Sequence, residues 1–211
     1  VKAVSWRAAA RASRLGMAAL AACVALGLAA CGAKEEKLRF NSLDLTGASY
    51  AQSWAMPDAS GQMRTLADFA GKVVFVFFGY AQCPDVCPVT MVEMAQVKEQ
   101  LGQDAKRLQI VFVTVDPERD TPEIMREYLG NFDPDAVPLI GTPEQVAAMA
   151  KDFKVTYQKV PGADENSYTI NHTAAGYVYD TQGRLRLYVR YGTPVEQVVA
   201  DVRQLLKSAP K

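Results

Sequence analysis

The chain has one histidine in 211 residues, His172, so imidazole chemistry of any kind rests on a single side chain. It has four cysteines, Cys23, Cys31, Cys83 and Cys87, too few for a disulfide-stapled scaffold. No internal repeat and no low-complexity tract is visible, which sets aside repeat and fibrous architectures. No basic patch lies beyond the first thirty residues, so nucleic acid is not an expected partner. The longest apolar stretch near the N-terminus, Leu15 to Ala30, is short for a bilayer-spanning helix. Around Cys83 there is no local arginine and threonine of the kind a peroxidatic cysteine needs. What is present is a 49% hydrophobic composition at zero formal net charge, which suits one domain plus a short appendage.

The appendage is N-terminal. Lys2, Arg7, Arg11 and Arg14 stand without an acidic neighbour and precede the apolar run, an export-signal pattern over residues 1–30. The run ends Leu28-Ala29-Ala30-Cys31, which resembles the lipobox of bacterial lipoproteins, where cleavage precedes a lipidated cysteine. Cleavage there removes four positive charges and leaves 19 basic against 23 acidic residues, a net charge of −4. Residues 31–45, polar and mixed, then read as a tether, and 46–211 as the folded domain. Export places the domain where disulfides persist. Cys23 leaves with the signal and Cys31 is acylated, so Cys83 and Cys87 are the free thiols of the mature domain. A bridge across so short a loop stabilises little, so chemistry explains the pair better than stapling.

Within the domain, Pro57-Asp58-Ala59-Ser60-Gly61 reads as a hairpin turn. Val73 to Phe78 and Ile110 to Val115 are unbroken apolar runs, the mark of strands covered on both faces. Pro88 is expected to open a helix in which Met91, Met94 and Leu101 recur at core spacing; this makes the two methionines packing residues rather than metal ligands. Thr121-Pro122 and Thr142-Pro143 read as helix starts, with Gln145 completing a capping box. Ala174 to Tyr179 and Leu185 to Val189 flank a turn, and Thr193 with Glu196 is expected to cap a last helix to about Lys207. The order is β-α-β-α-β-α, then a β-hairpin and a helix. It predicts an α/β fold with a central mixed β-sheet flanked by helices and an N-terminal hairpin extension.

Cys83-Pro84-Asp85-Val86-Cys87-Pro88 follows the first apolar strand and opens a helix. That is the end of an α/β sheet where ligands bind. The helix N-terminus favours thiolate, the form that both binds metal and attacks disulfides. A dithiol so placed points to a thioredoxin-like domain. Thioredoxin-type redox sites have two residues between the cysteines; here there are three, which lets both sulfurs face one external centre. In such folds the segment before the Ala174 strand packs against the dithiol, usually through a proline; here it carries His172 instead. Two thiolates and an imidazole suit Cu(I), and accept Cu(II) or zinc. Asp116, at the end of the second strand, and Asn171, beside His172, are candidates for tuning the site through its ligands.

Three stretches, Gly79 to Pro88, Val115-Asp116-Pro117-Glu118-Arg119-Asp120-Thr121-Pro122 and Asn171-His172-Thr173, closely resemble the Sco/SenC family in sequence and order, over about residues 45 to 208. The resemblance implies a membrane-tethered, thioredoxin-like copper protein that holds one copper per chain through Cys83, Cys87 and His172. It implies a role in assembling the dinuclear copper centre of cytochrome c oxidase. The implied partners are the copper-centre subunit of that oxidase and other periplasmic copper carriers or thiol reductants. Two positions depart from the family: Asn171 stands where aspartate is common, and Ala81 where threonine is. Two functions follow. One is a metallochaperone that passes copper by ligand exchange. The other is a thiol–disulfide oxidoreductase acting on the oxidase's copper-site cysteines, with Cys83 and Cys87 as its catalytic pair. The expected location is the periplasmic face of a bacterial membrane, anchored through Cys31. Gly32 in place of a retention aspartate points to the outer membrane, and an oxidase role points to the inner one.

Overall fold

The structure, a computed structural model, describes residues 38–164 and 167–208. The signal segment, Cys23 and Cys31 lie outside these residues. In chain order the elements are β1 (Leu43–Asp44), β2 (Ala55–Pro57), β3 (Met63–Thr65), β4 (Val73–Gly79), α1 (Val86–Leu101), β5 (Leu108–Thr114), α2 (Pro122–Gly130), β6 (Val137–Leu139) and α3 (Pro143–Asp152). They continue with β7 (Tyr157–Pro161), β8 (Tyr168–His172), β9 (Ala175–Tyr179), β10 (Leu185–Arg190) and α4 (Val195–Lys207). Among the described residues no helix is long and apolar enough to cross a membrane.

The two apolar runs sit where their composition puts them. Every residue of β4 and of β5 is buried, and the two pair in parallel from Val73↔Leu108 to Gly79↔Thr114. The main sheet runs β1-β10-β9-β4-β5-β6, with β9 and β10 antiparallel, so it is mixed as expected. Alternation along β4 sorts its side chains. Phe75 and Phe77 share the sheet face that meets Met94 of α1 and Val198 of α4, with the Phe75 ring lying over Gly176 of the paired strand β9. Phe78 faces the other way, edge-on to Phe153 and Tyr177. The N-terminal hairpin is β2–β3, its turn closed by Asp58, which accepts from Ser60 and pairs with Arg64 at 2.7 Å.

Thr121 and Thr142 cap α2 and α3 as expected, the latter within a full capping box with Gln145. Four boundaries differ from expectation. Helix α1 starts at Val86, not Pro88, because the first four helical N–H groups have no partner within the helix and proline is tolerated anywhere among them. Cys87 therefore belongs to the helix. Helix α4 has Pro194 at its N-cap; the Thr193 hydroxyl is committed to the Arg190 carbonyl at 2.8 Å and caps nothing. The packed body begins before residue 46. Asn41 and Ser42 donate their backbone N–H groups to Asp201 at 2.8 Å each, and Leu43–Asp44 extends the sheet beside Tyr188 and Leu187. Last, His172 lies on a strand that the expected element order lacks. It ends β8, which pairs with β7 in a two-stranded sheet of its own, Tyr157 opposite His172.

Candidate metal centre

Cys83 lies in the turn that leaves β4, its N–H donating to the Tyr80 carbonyl at 3.2 Å. It is half-buried, whereas Cys87, one residue into α1, is wholly buried. The cause of that burial lies below it. A Cβ on Gly79 would come 2.7 Å from Cys87 Sγ and 2.7 Å from Phe112 Cζ, so glycine makes the room the second sulfur occupies. The two thiols share charge unequally. Cys83 is held well below its ordinary pKa, first by a hydrogen bond from the Cys87 thiol and then by the N–H groups of Asp85 and Cys87 at the helix start. Cys87 is pushed up by the same hydrogen bond and by burial. The pair gives up one proton readily and holds the second.

His172 Nε2 stands 3.4 Å from Cys87 Sγ. Its Nδ1 lies 3.1 Å from the Thr173 carbonyl, which can only accept, so Nδ1 carries a proton and Nε2 is the nitrogen turned toward the sulfurs. Phe77 and Tyr80 flank the imidazole edge-on, at 5.9 Å and 6.0 Å between centroids. The two sulfurs and the histidine nitrogen all lie within 4.8 Å of one another. Two thiolates bound at about 2.3 Å on either side of an ion stand ~4.6 Å apart, so the group fits one metal ion with little movement. It is the one such group of three among the described residues.

The two candidate tuning residues fare differently. Asp116 is buried, and its hydrogen-bond partners include neither sulfur nor the imidazole. It pairs with Arg119 and accepts from the Tyr168 hydroxyl at 2.8 Å, acting on the strand that carries His172. Asn171 is exposed; strand alternation puts it on the face opposite Ile170 and His172, away from the site. Met91 and Met94 are buried in the core, as helical spacing predicts. Asp85 is exposed at the N-cap and makes no side-chain capping bond.

Sequence reasoning passed over four neighbours. Asp120 accepts from Ala81 N at 3.2 Å and from the Thr114 hydroxyl at 2.5 Å, which fixes the start of the cysteine loop. Burial raises its pKa to about 6. Tyr80 accepts from the N–H of Ile170 at 3.0 Å and so ties β8 to the end of β4. Arg119 and Tyr168 stack, with Cζ 3.6 Å from the ring centroid. Asp120 and Arg119 both stand inside the Asp116 to Pro122 stretch, at a strand end that faces the site. That position was the available signal.

Residues 44–207 match the model of the SCO1/SenC family. A mouse (Mus musculus) protein, "Protein SCO2 homolog, mitochondrial", is 35% identical over 153 residues, which are 72% of this chain and 60% of that one. The chain thus spans about three fifths of that curated relative's length. Among solved structures, Bradyrhizobium japonicum ScoI with copper bound is 37% identical with a TM-score of 0.66, covering 72% of this chain and 97% of that one. Apo Sco1 from Thermus thermophilus is 36% identical with a TM-score of 0.70, covering 82% and 99%.

Proposed function

The chain belongs to the SCO1/SenC family, and on that premise we propose that it carries copper to the dinuclear copper site of cytochrome c oxidase. One observation carries the reading: Cys83 Sγ, Cys87 Sγ and a His172 ring nitrogen converge within 4.8 Å. Copper is the cargo. Two thiolates hold Cu(I), and the imidazole completes a set that Cu(II) also accepts. The half-buried Cys83 is the ligand a partner thiol reaches first, so transfer proceeds by exchange of one ligand at a time. A lipid on Cys31 would hold the domain at the periplasmic face of a membrane, near the oxidase's copper-centre subunit and the carriers or reductants that serve it.

A second reading rests on the unequal thiols. Cys83 is accessible and biased to thiolate, and Cys87 is buried beside it. In this reading Cys83 attacks a disulfide of the target's copper site and Cys87 resolves the mixed disulfide. The target leaves as a dithiol, and Cys83–Cys87 becomes the disulfide.

The test is copper binding to the reduced chain beside His172→Ala, read by thiolate-to-copper absorption for Cu(II) and by chelator competition for Cu(I). One tight equivalent, weakened sharply in the variant for Cu(II), is the expected result. Binding indifferent to His172 removes the carrier reading and leaves the dithiol as a redox centre.

A further inference from the structure

The side chain of Arg119 touches both segments that bear the site's ligands. Its Nη1 donates to Gln82 Oε1 at 3.2 Å and to the Tyr168 carbonyl at 3.0 Å. Gln82 immediately precedes Cys83, and Tyr168 opens the strand that ends at His172. The guanidinium lies on the Tyr168 ring, and its Nε pairs with Asp116, whose side chain has no exposed surface. The Tyr168 hydroxyl closes the ring of contacts on the second Asp116 oxygen at 2.8 Å.

This ring matters because of what the hairpin lacks. Strands β7 and β8 share no ladder with the main sheet. Besides the buried Ile170 side chain and the contacts of His172 with Cys87, Phe77 and Tyr80, the hairpin is tied on this side by the bond from Ile170 N to the Tyr80 hydroxyl and a Lys159–Glu118 pair at 2.6 Å. Both partners of that pair are exposed, so it contributes little. Orientation of the imidazole thus depends on a few side-chain contacts, with one guanidinium at their centre. A planar fork can stack on a ring and reach a carboxylate, a carbonyl and an amide at once; an ammonium cannot.

The geometry points to Arg119, braced by Asp116 and Tyr168, as the positioning residue that holds His172 against the dithiol and thereby sets the site's preference between Cu(II) and Cu(I). The inference rests on the copper reading above. Cu(I) is satisfied by the two thiolates, which are fixed by β4 and α1. Cu(II) needs the nitrogen donor as well. When β8 is free to swing, the competent arrangement is populated a fraction of the time and Cu(II) affinity falls by that fraction.

The experiment compares the full reduced chain with Arg119→Met, Arg119→Lys, Tyr168→Phe and His172→Ala. Amide hydrogen exchange of the metal-free proteins is measured at Ile170 and His172. Cu(II) affinity is measured with nitrogen hyperfine coupling in electron paramagnetic resonance, and Cu(I) affinity by chelator competition. In Arg119→Met the β8 amides exchange faster without metal, Cu(II) binds about 10- to 100-fold more weakly with altered nitrogen coupling, and Cu(I) affinity is unchanged. Arg119→Lys behaves like Arg119→Met, and Tyr168→Phe shifts the same readouts less. Wild-type exchange and Cu(II) binding in the arginine variants overturn the inference, as does an equal loss of both copper states. If Arg119→Met does not fold, Arg119→Lys and Tyr168→Phe decide on the same criteria. Absence of tight copper in the wild type, or indifference to His172→Ala, defeats the copper reading itself; the metal-free exchange data separate that failure from failure of the clamp.

Discussion

The two halves of the ligand set are held by different means. Cys83 and Cys87 bracket the junction of a fully buried strand and the helix it feeds, and backbone pairing on both sides of β4 fixes them. His172 stands on a hairpin whose burial is slight: in β7 no residue is buried, and in β8 Ile170 alone is. The thiol pair is thus a property of the fold, and the imidazole a property of one buried residue, two flanking rings and a few polar side chains docked onto it. A carrier gains from this division. Its soft ligands are held together by the core without metal, while the third ligand can be tuned without disturbing that core.

The largest effects should come from the rigid half. Cys87→Ala removes a thiolate common to every copper geometry available here, and tight binding of both Cu(I) and Cu(II) should disappear in the same titrations. His172→Ala should instead separate the two ions; loss of Cu(I) on that change would erase the contrast between the halves. Gly79→Ala comes next. The added Cβ meets Cys87 Sγ and Phe112 Cζ at 2.7 Å and Phe77 Cε1 at 2.9 Å, three groups with no room to retreat. Overpacking of this kind costs about 1–3 kcal/mol, visible as a lower denaturation midpoint, and copper in both states should weaken with it. Tyr80→Phe probes the mobile half. It leaves the Ile170 N–H buried without its acceptor, at a cost of about 1–2 kcal/mol. Exchange at β8 should accelerate more than exchange in β4; uniform acceleration would mean that the hairpin and sheet open as one unit.

The same division decided what could be read from residues alone. Val73 to Phe78 and Ile110 to Val115 announce buried strands because both faces are covered and nothing polar interrupts them. The dithiol is local and adjoins one of those strands, so its place followed from neighbours in sequence. The caps at Thr121 and Thr142 were legible for the same reason. Strand β7, Tyr157-Gln158-Lys159-Val160-Pro161, has exposed polar residues and no apolar alternation, so nothing in its pattern marks it as a strand. The clamp joins Arg119 to Tyr168 across 49 positions through polar contacts that leave no periodic trace. Asn171 drew notice by adjacency to His172, and strand alternation turns it away.

The effect confined to one side of a pH range concerns Asp120, where the rigid half carries an avoidable cost. Its carboxyl is buried, and burial raises its pKa from 3.8 to about 6 despite bonds from Thr114 and Ala81. The folded protein therefore binds this proton more tightly than the unfolded chain does. Between about pH 4 and pH 6 the native state holds more protons at this site, so its contribution to stability falls as pH rises, and above pH 6 the full cost of a buried charge remains. Asp120→Asn keeps an oxygen to accept from Ala81 N and the Thr114 hydroxyl and carries no charge. In the metal-free, reduced protein the variant should be more stable by about 1–2 kcal/mol at pH 7.5 and indistinguishable from wild type at pH 4, read from denaturant midpoints at the two values. A gain that is the same at both would assign the effect to packing. A loss at pH 7.5 would mean that the negative charge helps to hold the cysteine loop, and that the rigid half, like the hairpin, depends on an ionised carboxylate.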